Sequence, residues 1–263
     1  MNYYSPKEIL ERVHETARYK AKTKIPTTLV LAFMAGAYIA LGGLLSMVVG
    51  GGIPGIEAAN PGLQKFIFGS VFPLGLILCV VAGADLFTGN TAYFIPPVMN
   101  RKLPIASMFK NWTLVWLGNF AGALFVGYVL TYLTDIFVKD PWLSTLHHIA
   151  DIKTTAPFYK VFVKGIGANW LVALAVWLAF AAKDITGKIL AIWFPVMAFV
   201  AMGFEHSIAN MFFLPTAWMY GAPISWSDII INNLIPATLG NIVGGAILTG
   251  GLYWYVYDRE SKQ

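Results

Sequence analysis

Apolar residues occur along most of the chain in long continuous runs, not at the alternating or one-face spacing of a soluble fold. A helix needs about 20 apolar residues to cross about 30 Å of hydrocarbon. Six runs are long enough, at residues 27–50, 63–98, 110–134, 158–182, 189–216 and 228–256. The second and fifth runs are too long for one span and contain polar residues in their interior. The pattern predicts an all-α integral membrane protein of six transmembrane helices, with the second and fifth broken.

The residues before the first run predict a short amphipathic helix. Residues 5–8 read Ser-Pro-Lys-Glu, which is the pattern of a capping box with proline at the first helical position. Ile9, Val13 and Ala17 then recur at helical spacing among charged residues. We expect residues 1–24 to form a helix on the inner membrane surface or against a neighbouring subunit. This charged start is unlike a cleavable signal peptide.

Composition supports a single membrane domain over residues 1–263. Hydrophobic residues make up 57% of the chain and charged residues 12%, and the mean hydropathy is +0.65. A soluble domain carries about 25% charged residues, so this chain lacks the charge for a wetted surface. The single Cys79 excludes a disulfide framework and a cysteine metal cluster. With no phosphate-binding loop and no metal-spaced His or Cys cluster in the sequence, we expect no metal and no other cofactor.

The positive charges predict the orientation. Of the 18 Lys and Arg residues, those on the side opposite the N-terminus are Lys65, Lys139, Lys153, Lys160 and Lys164. Positive residues favour the cytoplasmic side, so both termini are expected to be cytoplasmic in a cell inner membrane. The basic pI of 9.2 is explained in this way, and no nucleic-acid partner is expected.

The two halves of the chain repeat each other. Residues 83–90 and 203–210 both read G-x-acid-x-x-x-x-N, and residues 117–119 and 239–241 both read Leu-Gly-Asn. Three spans per half is an odd number, so the second half must be inserted upside down. We therefore expect a first repeat at 25–134 and an inverted second repeat at 153–257.

Both G-x-acid motifs lie where a continuous helix is least favourable. Pro96 and Pro97 follow the first motif, and Pro215 follows the second. Freed backbone groups are tolerated in a bilayer where they line a cavity or are buried in protein. The two breaks are expected to meet near the midplane and form a pore, with the positive ends of half-helices directed at an anion.

The two acidic residues of the motifs occupy the same repeat position. An acidic group in a bilayer costs about 2.5–3.5 kcal/mol, so it normally has a purpose. We expect Asp85 and Glu205 to brace the broken segments by binding backbone N–H groups, together with Asn90 and Asn210. Carrying protons is the alternative.

His206 has Leu86 as its repeat partner, and thus no ionisable counterpart. A lone histidine in an apolar span is often a hydrogen-bonded core residue, but this one lies beside a break at the expected pore centre. Imidazole can donate a hydrogen bond and can exchange a proton near neutral pH. Thr88 is the nearest hydroxyl of the opposing segment, and it could fix the His206 tautomer or bind the anion.

Other candidates have both a structural and a functional interpretation. Asn169 could bind substrate or hydrogen-bond to a neighbouring helix. Three lysines flank the expected mouths and could attract anions or only extend to the membrane surface: Lys20, Lys22 and Lys153. Five apolar residues near the breaks are packing residues or constrictions: Phe72, Leu76, Leu86, Phe87 and Phe199.

Residues 83–89, 165–175 and 203–211 resemble the signatures of the formate/nitrite transporter family over nearly the full chain. The resemblance implies a homopentamer of aquaporin-like protomers and the passage of formate, nitrite, hydrosulfide, acetate or lactate, passively or with a proton. It places the family's central histidine on His206 and its threonine on Thr88. It places the constrictions on the five apolar residues named above, and the vestibule lysines on Lys153 and on Lys20 or Lys22. Asp85 stands where the family often has Glu, and Ala168 and Ala173 stand where it often has Cys.

Formate is the favoured substrate, and two other classes of function remain as rivals. An intramembrane enzyme would need a nucleophile close to a base, but Ser207 and His206 are adjacent and point about 100° apart on a helix. A water or glycerol channel would need a polar pore with a cation at its filter, and the sequence places no Arg within a span. We therefore expect no catalytic residues.

Overall fold

The computed structural model describes residues 2–259, so Lys262, which the charge pattern assigns to the cytoplasmic side, lies outside the described residues. Within them the regular secondary structure is helical, apart from one isolated β-bridge between Tyr3 and Ala182. In chain order the helices are α1 (Pro6–Lys22), α2 (Ile25–Gly50), α3 (Pro54–Ala59), α4 (Pro61–Gly83), α5 (Phe87–Tyr93), α6 (Ile95–Met99), α7 (Ile105–Tyr132), α8 (Trp142–Thr155), α9 (Phe158–Ala181), α10 (Ile185–Ala201), α11 (Ser207–Met219) and α12 (Asp228–Tyr257).

The membrane-spanning pattern follows the sequence closely. Five helices are long and apolar enough to cross a bilayer: α2, α4, α7, α9 and α12. The fifth span consists of the shorter apolar helix α10 and the half-helix α11, and the second consists of α4 followed by α5 and α6. The prediction of six spans with the second and fifth broken is confirmed.

Each break begins at a glycine with a positive φ angle. Gly83 ends α4 with φ 86°, and Gly203 follows α10 with φ 68°. Side chains other than hydrogen rarely adopt this conformation, so glycine is what allows the chain to leave the helix here. After each glycine the backbone is extended at Ala84 and at His206. The freed N–H groups are satisfied by other helices: that of Asp85 donates to α2 and that of Glu205 donates to α9.

Glycines also bring the helices of each repeat together in equivalent pairs. A side chain at Gly122 of α7 would collide with the backbone of α2 at Phe33, and one at Gly244 of α12 would collide with α9 at Ile166. Membrane helices use such small residues for close backbone approach, because apolar side chains gain little by leaving lipid. Gly118 and Gly240 of the repeated Leu-Gly-Asn segments make equally close approaches, to Ala32 of α2 and to Phe162 of α9.

Helix α1 begins as predicted but packs differently. The N–H group of Ser5 donates to Glu8 Oε2 at 2.7 Å, as in a capping box. Its apolar face, including Leu10 and Val13, is buried against α5, α6, α7, α9 and α12 of the same chain. The expectation of a membrane surface or a neighbouring subunit is wrong for this face. The short half-helices leave apolar surface at one end of the molecule, and α1 covers it.

Helix α8 lies between the two repeats, where no helix was predicted. Its buried residues Leu146, Ala150 and Thr154 recur every four residues, a helical spacing that the sequence does contain. Lys153 lies in its last turn. This helix therefore determines where one of the candidate lysines is held.

Candidate functional site

Two cavities approach the broken helices from opposite ends of α9. The Lys20 vestibule, about 230 Å³, is lined by Lys20 and by the last turns of α9 at Val176 and Phe180. The Lys153 vestibule, about 150 Å³, is lined by Lys153 and Ile149, which precede the start of α9. Because α9 is long and apolar enough to span a membrane, the vestibules lie on opposite sides of the bilayer.

Between the vestibules lies a neck that has no space for a water molecule. It is lined by Ile39, Phe72, Leu76, Leu86, Val172, Val196, Phe199 and His206. Every side chain except His206 is a hydrocarbon or an aromatic ring. Any solute that crosses the neck must therefore lose its water, and only His206 offers it a hydrogen bond from among the lining side chains.

Four of the five predicted constriction residues bound this neck at its two ends. Phe72 and Phe199 also line the Lys153 vestibule, and their rings lie edge to face with centroids 6.0 Å apart. Leu76 and Leu86 also line the Lys20 vestibule. The family resemblance, which assigned the constriction role to these residues, thus named side chains that the fold brings together from α4, α10 and the first break.

Phe87 is a correction, because the structure places it outside the neck. Leu86 is the N-cap of α5 and Phe87 its first residue, so the two side chains project in different directions. Phe87 instead packs against Trp112 of α7, with ring centroids 6.4 Å apart. It lines a separate apolar groove.

Thr88 and His206 meet beside the neck, although they belong to opposite repeats. Thr88 Oγ1 and His206 Nε2 are 3.1 Å apart, within hydrogen-bond distance, and both residues are buried. The His206 ring also stacks on Phe199 with centroids 5.7 Å apart. The imidazole is therefore held in one orientation at the Lys153 end of the neck.

The remaining ring nitrogen of His206 fixes the tautomer. His206 is the N-cap of α11, and its Nδ1 accepts a hydrogen bond from the N–H group of Ala209 at 3.2 Å. A backbone N–H can only donate, so Nδ1 must be unprotonated in this arrangement. The proton of the neutral ring is then on Nε2, which donates to Thr88 or to a solute in its place.

Asp85 and Glu205 brace the breaks, but not through backbone N–H groups as expected. Asp85 accepts hydrogen bonds from the side chains of Lys20 and Asn90. Glu205 accepts from Lys153 Nζ at 2.8 Å and from Asn210 Nδ2 at 2.7 Å. The backbone N–H groups of the breaks donate to other acceptors. The carboxylates therefore accept hydrogen bonds from lysine and asparagine side chains, which are long enough to reach them.

The same contacts show that both vestibule lysines are ion-paired. Lys20 pairs with Asp85 and Lys153 pairs with Glu205, so each lysine binds the carboxylate of its own half of the chain. Each lysine therefore presents N–H donors beside a counter-charge, not an isolated positive field. Lys22, the alternative to Lys20, is exposed and lines neither vestibule.

The backbone of each break is held by an asparagine that the sequence analysis did not name as a site residue. Asn119 Oδ1 accepts from the Phe87 N–H at 3.0 Å, and Asn241 Oδ1 accepts from the Ser207 N–H at 2.8 Å. Their amide groups donate to the carbonyls of Asp85 and Glu205 respectively. Both asparagines belong to the repeated Leu-Gly-Asn segments, so the signal was present.

A second asparagine pair was also missed. Asn111 Oδ1 accepts from Asn90 Nδ2, and Asn233 Oδ1 accepts from Asn210 Nδ2, each at 2.7 Å. Asn111 and Asn233 each precede the Leu-Gly-Asn asparagine by eight residues. Extending the repeat backwards along α7 and α12 would have found them.

Asn169 lies behind the site and lines neither the neck nor a vestibule. Its Nδ2 donates to Thr91 Oγ1 at 2.9 Å, to the Thr88 carbonyl at 3.2 Å and to the Asn241 carbonyl at 2.5 Å. These hydrogen bonds support the alternative, in which Asn169 joins neighbouring helices. Asn169 supports Thr88 from the side away from His206.

A helical membrane protein with two vestibules separated by a dry neck has the architecture of a transmembrane channel or transporter.

Within residues 2–259, no three His, Cys, Asp or Glu side chains are grouped so that they could hold a metal ion.

The formate/nitrite transporter profile matches residues 7–255, and the chain belongs to that family. The sequence is 44% identical to a probable formate transporter of Methanothermobacter thermautotrophicus, covering 98% of this chain and 99% of that protein. It is 36% identical to a formate channel of Bacillus thuringiensis, covering 99% and 98%. It is 34% identical to the formate channel FocA of Escherichia coli, covering 97% and 95%.

Solved structures agree with the sequence relatives. An FNT family ion channel superposes with a TM-score of 0.86 at 32% identity, covering 94% of this chain and 98% of that one. A pentameric formate channel with formate bound gives a TM-score of 0.76 at 33% identity, covering 89% and 97%. The family resemblance and the aquaporin-like architecture that it implied are confirmed. The protein is a multi-pass membrane channel or transporter of this family.

Proposed function

We propose that the protein carries formate, as the leading member of a group of small monovalent weak-acid anions, between its two vestibules. The observation that carries the proposal is the dry apolar neck with one oriented hydrogen-bond donor, His206, at its Lys153 end. The names of the relatives support formate over nitrite, hydrosulfide, acetate and lactate as the first substrate to test.

The neck favours passage of the neutral acid. A charged solute is strongly disfavoured in a low-dielectric environment, which raises its proton affinity as it loses water. The anion therefore gains a proton at one vestibule, crosses between the Phe and Leu pairs as the neutral acid, and releases the proton in the other. One anion and one proton move together in this scheme.

His206 acts as a hydrogen-bond donor in this scheme. In the tautomer set by Ala209, the neutral ring offers its Nε2 proton to an oxygen of the solute in place of Thr88. Transfer of that proton would leave an anionic ring in an apolar neck, a costly state in low dielectric. Donation of a hydrogen bond has no such cost, and the Thr88 hydroxyl adds a second polar contact.

The paired lysines give each vestibule N–H donors that bind the anion before it enters the neck. Lys20 and Lys188 line one vestibule, and Lys153 lines the other. Because Asp85 and Glu205 balance two of these charges, the anion is held weakly enough to be released. One oxygen of each carboxylate accepts hydrogen bonds from a lysine and from an asparagine, so the carboxylates act as braces.

We propose further that the protein is a homopentamer in a cell inner membrane, with both termini in the cytoplasm. The pentameric formate channel among the structural neighbours supports the assembly. The excess of Lys and Arg on the side of the N-terminus supports the orientation. Each protomer would carry its own pathway, because both vestibules and the neck are built from one chain. The protein would have no catalytic activity.

Uptake into liposomes tests the proposal. Purified protein would be reconstituted, and uptake of formate, nitrite and hydrosulfide compared with and without an imposed pH gradient, with an internal pH dye to count protons. We expect formate uptake, with about one proton per anion, that is absent from protein-free liposomes. Formate entry without protons would overturn passage as the neutral acid. Passage of water or glycerol with none of the three anions would overturn the anion pathway.

A further inference from the structure

Asn111 lines a small crevice where α2 and α7 begin, and its amide donor is buried without a partner among the described residues. Asn111 is 4% exposed, and its Oδ1 is occupied by Asn90. Within residues 2–259, no atom accepts a hydrogen bond from its Nδ2. A buried donor without a partner costs about 1–3 kcal/mol, so a group that enters the crevice and accepts this hydrogen bond would be stabilised.

The inverted repeat shows how the equivalent donor is satisfied. Asn233 holds the same position in the second repeat, and its Nδ2 donates to the Lys153 carbonyl at 3.0 Å and to Glu205 at 3.3 Å. Asn111 has no such protein acceptor. The difference between the repeats is therefore local to the crevice beside Asn111.

The lining of this crevice, which we name the Asn111 crevice, is suited to an anion. Its residues are Lys20, Ala21, Thr23, Thr28, Ser107, Lys110, Asn111 and Leu114. Two are cations, three are hydroxyl residues and none is acidic. Asp85, the nearest carboxylate of the bracing network, is turned to Lys20 and Asn90 and does not line the crevice. Lys20 is already paired with Asp85, so Lys110 supplies the positive charge beside the unpartnered N–H, and the two together favour an anionic oxygen over a neutral acceptor.

The size and depth of the crevice restrict the ligand further. Its enclosed volume of about 10 Å³ has room for about one oxygen-sized group, so the remainder of the ligand must stay outside. It lies where α2 and α7 begin, next to the exposed apolar side chains of Ile25, Ile105 and Phe109. Lysines beside exposed apolar residues at the end of a span mark the headgroup region of a bilayer.

We propose that the Asn111 crevice binds one oxygen of a phosphate group, supplied by an anionic lipid headgroup or by free phosphate. Asn111 Nδ2 and the Ser107 hydroxyl donate to the inserted oxygen, and Lys110 balances its charge. The site shares no lining residue with the neck or with the Lys153 vestibule. It shares only Lys20 with the Lys20 vestibule. It does not depend on which solute is transported.

Thermal unfolding of the detergent-solubilised protein tests this site without a transport assay. The unfolding midpoint would be measured against increasing phosphatidylglycerol in mixed micelles, with phosphatidylcholine as the neutral lipid. In a second arm, inorganic phosphate would be compared with chloride at equal ionic strength. We expect a saturable rise in Tm with phosphatidylglycerol only, or with phosphate if the free ion is the source.

Three variants locate the effect. The double variant Ser107→Ala/Lys110→Gln alters only surface-accessible positions and should raise the concentration for half-maximal shift at least about tenfold. Asn111→Asp keeps an oxygen for Asn90 but replaces the unpartnered donor with a negative charge, and should abolish the shift. Lys102→Gln makes the same charge change at a nearby exposed lysine that does not line the crevice, and should respond like the wild type.

Two results would overturn the proposal. One is a wild-type Tm that responds equally to the two lipids and to phosphate and chloride. The other is a double variant that responds like Lys102→Gln, which would mean that any phosphate effect arises from general charge at this end of the protein. A response to phosphate but not to phosphatidylglycerol would support the site and identify its ligand as the free ion.

Discussion

Leu86 and His206 occupy equivalent positions in the two inverted repeats and both line the neck, yet only His206 can donate a hydrogen bond. Each is the N-cap of the half-helix that follows its break. The repeat therefore supplies two symmetric positions at the centre of the pathway, and a single side-chain difference makes the pathway polar on one side. The proposed transport function depends on this asymmetry.

Replacing His206 should strongly impair transport. His206→Asn removes the oriented Nε2–H donor, and one hydrogen bond in a buried site is worth about 1–2 kcal/mol, so formate flux should fall about 5- to 30-fold. Flux would be measured in liposomes from pH 5 to pH 8. His148→Asn, at an exposed histidine, is the matched control. An unchanged rate and pH profile for His206→Asn would contradict the role assigned to His206.

The Thr88 hydroxyl can be tested with two conservative variants. Thr88→Val keeps the shape of the side chain and removes the group that faces His206 Nε2 at 3.1 Å. Thr88→Ser keeps the hydroxyl and removes a methyl group. We expect a reduced formate flux for Thr88→Val and near wild-type flux for Thr88→Ser in the same liposome assay. Equal flux in both variants would show that the hydroxyl has no part in transport.

The asparagine that holds the second break should be essential for stability. Asn241→Ala would leave the Ser207 N–H and the carbonyls of Gly165 and Glu205 without their hydrogen bonds. At about 1–3 kcal/mol for each buried unpaired group, we expect a loss of about 3 kcal/mol or more in stability. Thermal unfolding in detergent measures it.

The exposed neighbour Asn232 provides the control for that measurement. Asn232→Ala removes one exposed hydrogen bond to Asp228, and exposed substitutions of this kind change stability by within about 0.5 kcal/mol. A Tm for Asn241→Ala equal to that of Asn232→Ala would contradict the bracing role.

The glycine that starts the second break is required for its backbone conformation. An added methyl group at Gly203 would touch nothing within 4 Å, so the cost of Gly203→Ala comes from its φ of 68° alone. That cost is about 1–2 kcal/mol, and Tm should fall. Gly55 also has open space but lies in α3 without a positive φ. Gly55→Ala should leave Tm unchanged or raise it, and a similar fall in both variants would refute the conformational explanation.

Stability should depend on pH through His14 in α1. Burial lowers the pKa of His14 below its ordinary value, although its hydrogen bond to Asp258 acts in the opposite direction. Lys102 and Arg18 add a smaller lowering effect. A histidine with a lowered pKa binds fewer protons when folded, so stability is lost as the pH falls below about 6.5.

The measurement for this prediction compares Tm at pH 7.5 and pH 5.5 in wild type and in His14→Gln. The glutamine cannot titrate but can still donate to Asp258, so the variant should lose less stability on acidification. His148→Gln should behave like the wild type. If the wild type and His14→Gln lose stability in parallel, His14 does not contribute to the pH dependence.

Repetition along the chain determined more of the site than single residues did. The G-x-acid motifs located both breaks, and Asn111 and Asn119 could have been found by extending the comparison with Asn233 and Asn241. Lys20 could have been separated from Lys22 in the same way. Gly36 of α2 is the repeat counterpart of Asn169 of α9, because Phe33 and Ile166, three residues earlier, make the equivalent glycine contacts. Lys20 precedes Gly36 by sixteen residues, as Lys153 precedes Asn169. A repeat preserves the register of a helix, and register decides which side chains share a face.

The sequence by itself determined the spans, the two broken helices, the inverted repeat and the family, because hydrophobic length and motif order are local properties of the chain. Only the tertiary structure decided that α1 packs on its own protomer, that Asp85 and Glu205 bind lysines and asparagines, and that Phe87 points away from the neck. Each of these depends on the direction and distance of groups far apart in sequence. Hydrophobicity and spacing carry no information on which of several donors reaches a given acceptor, since that is settled when the helices pack.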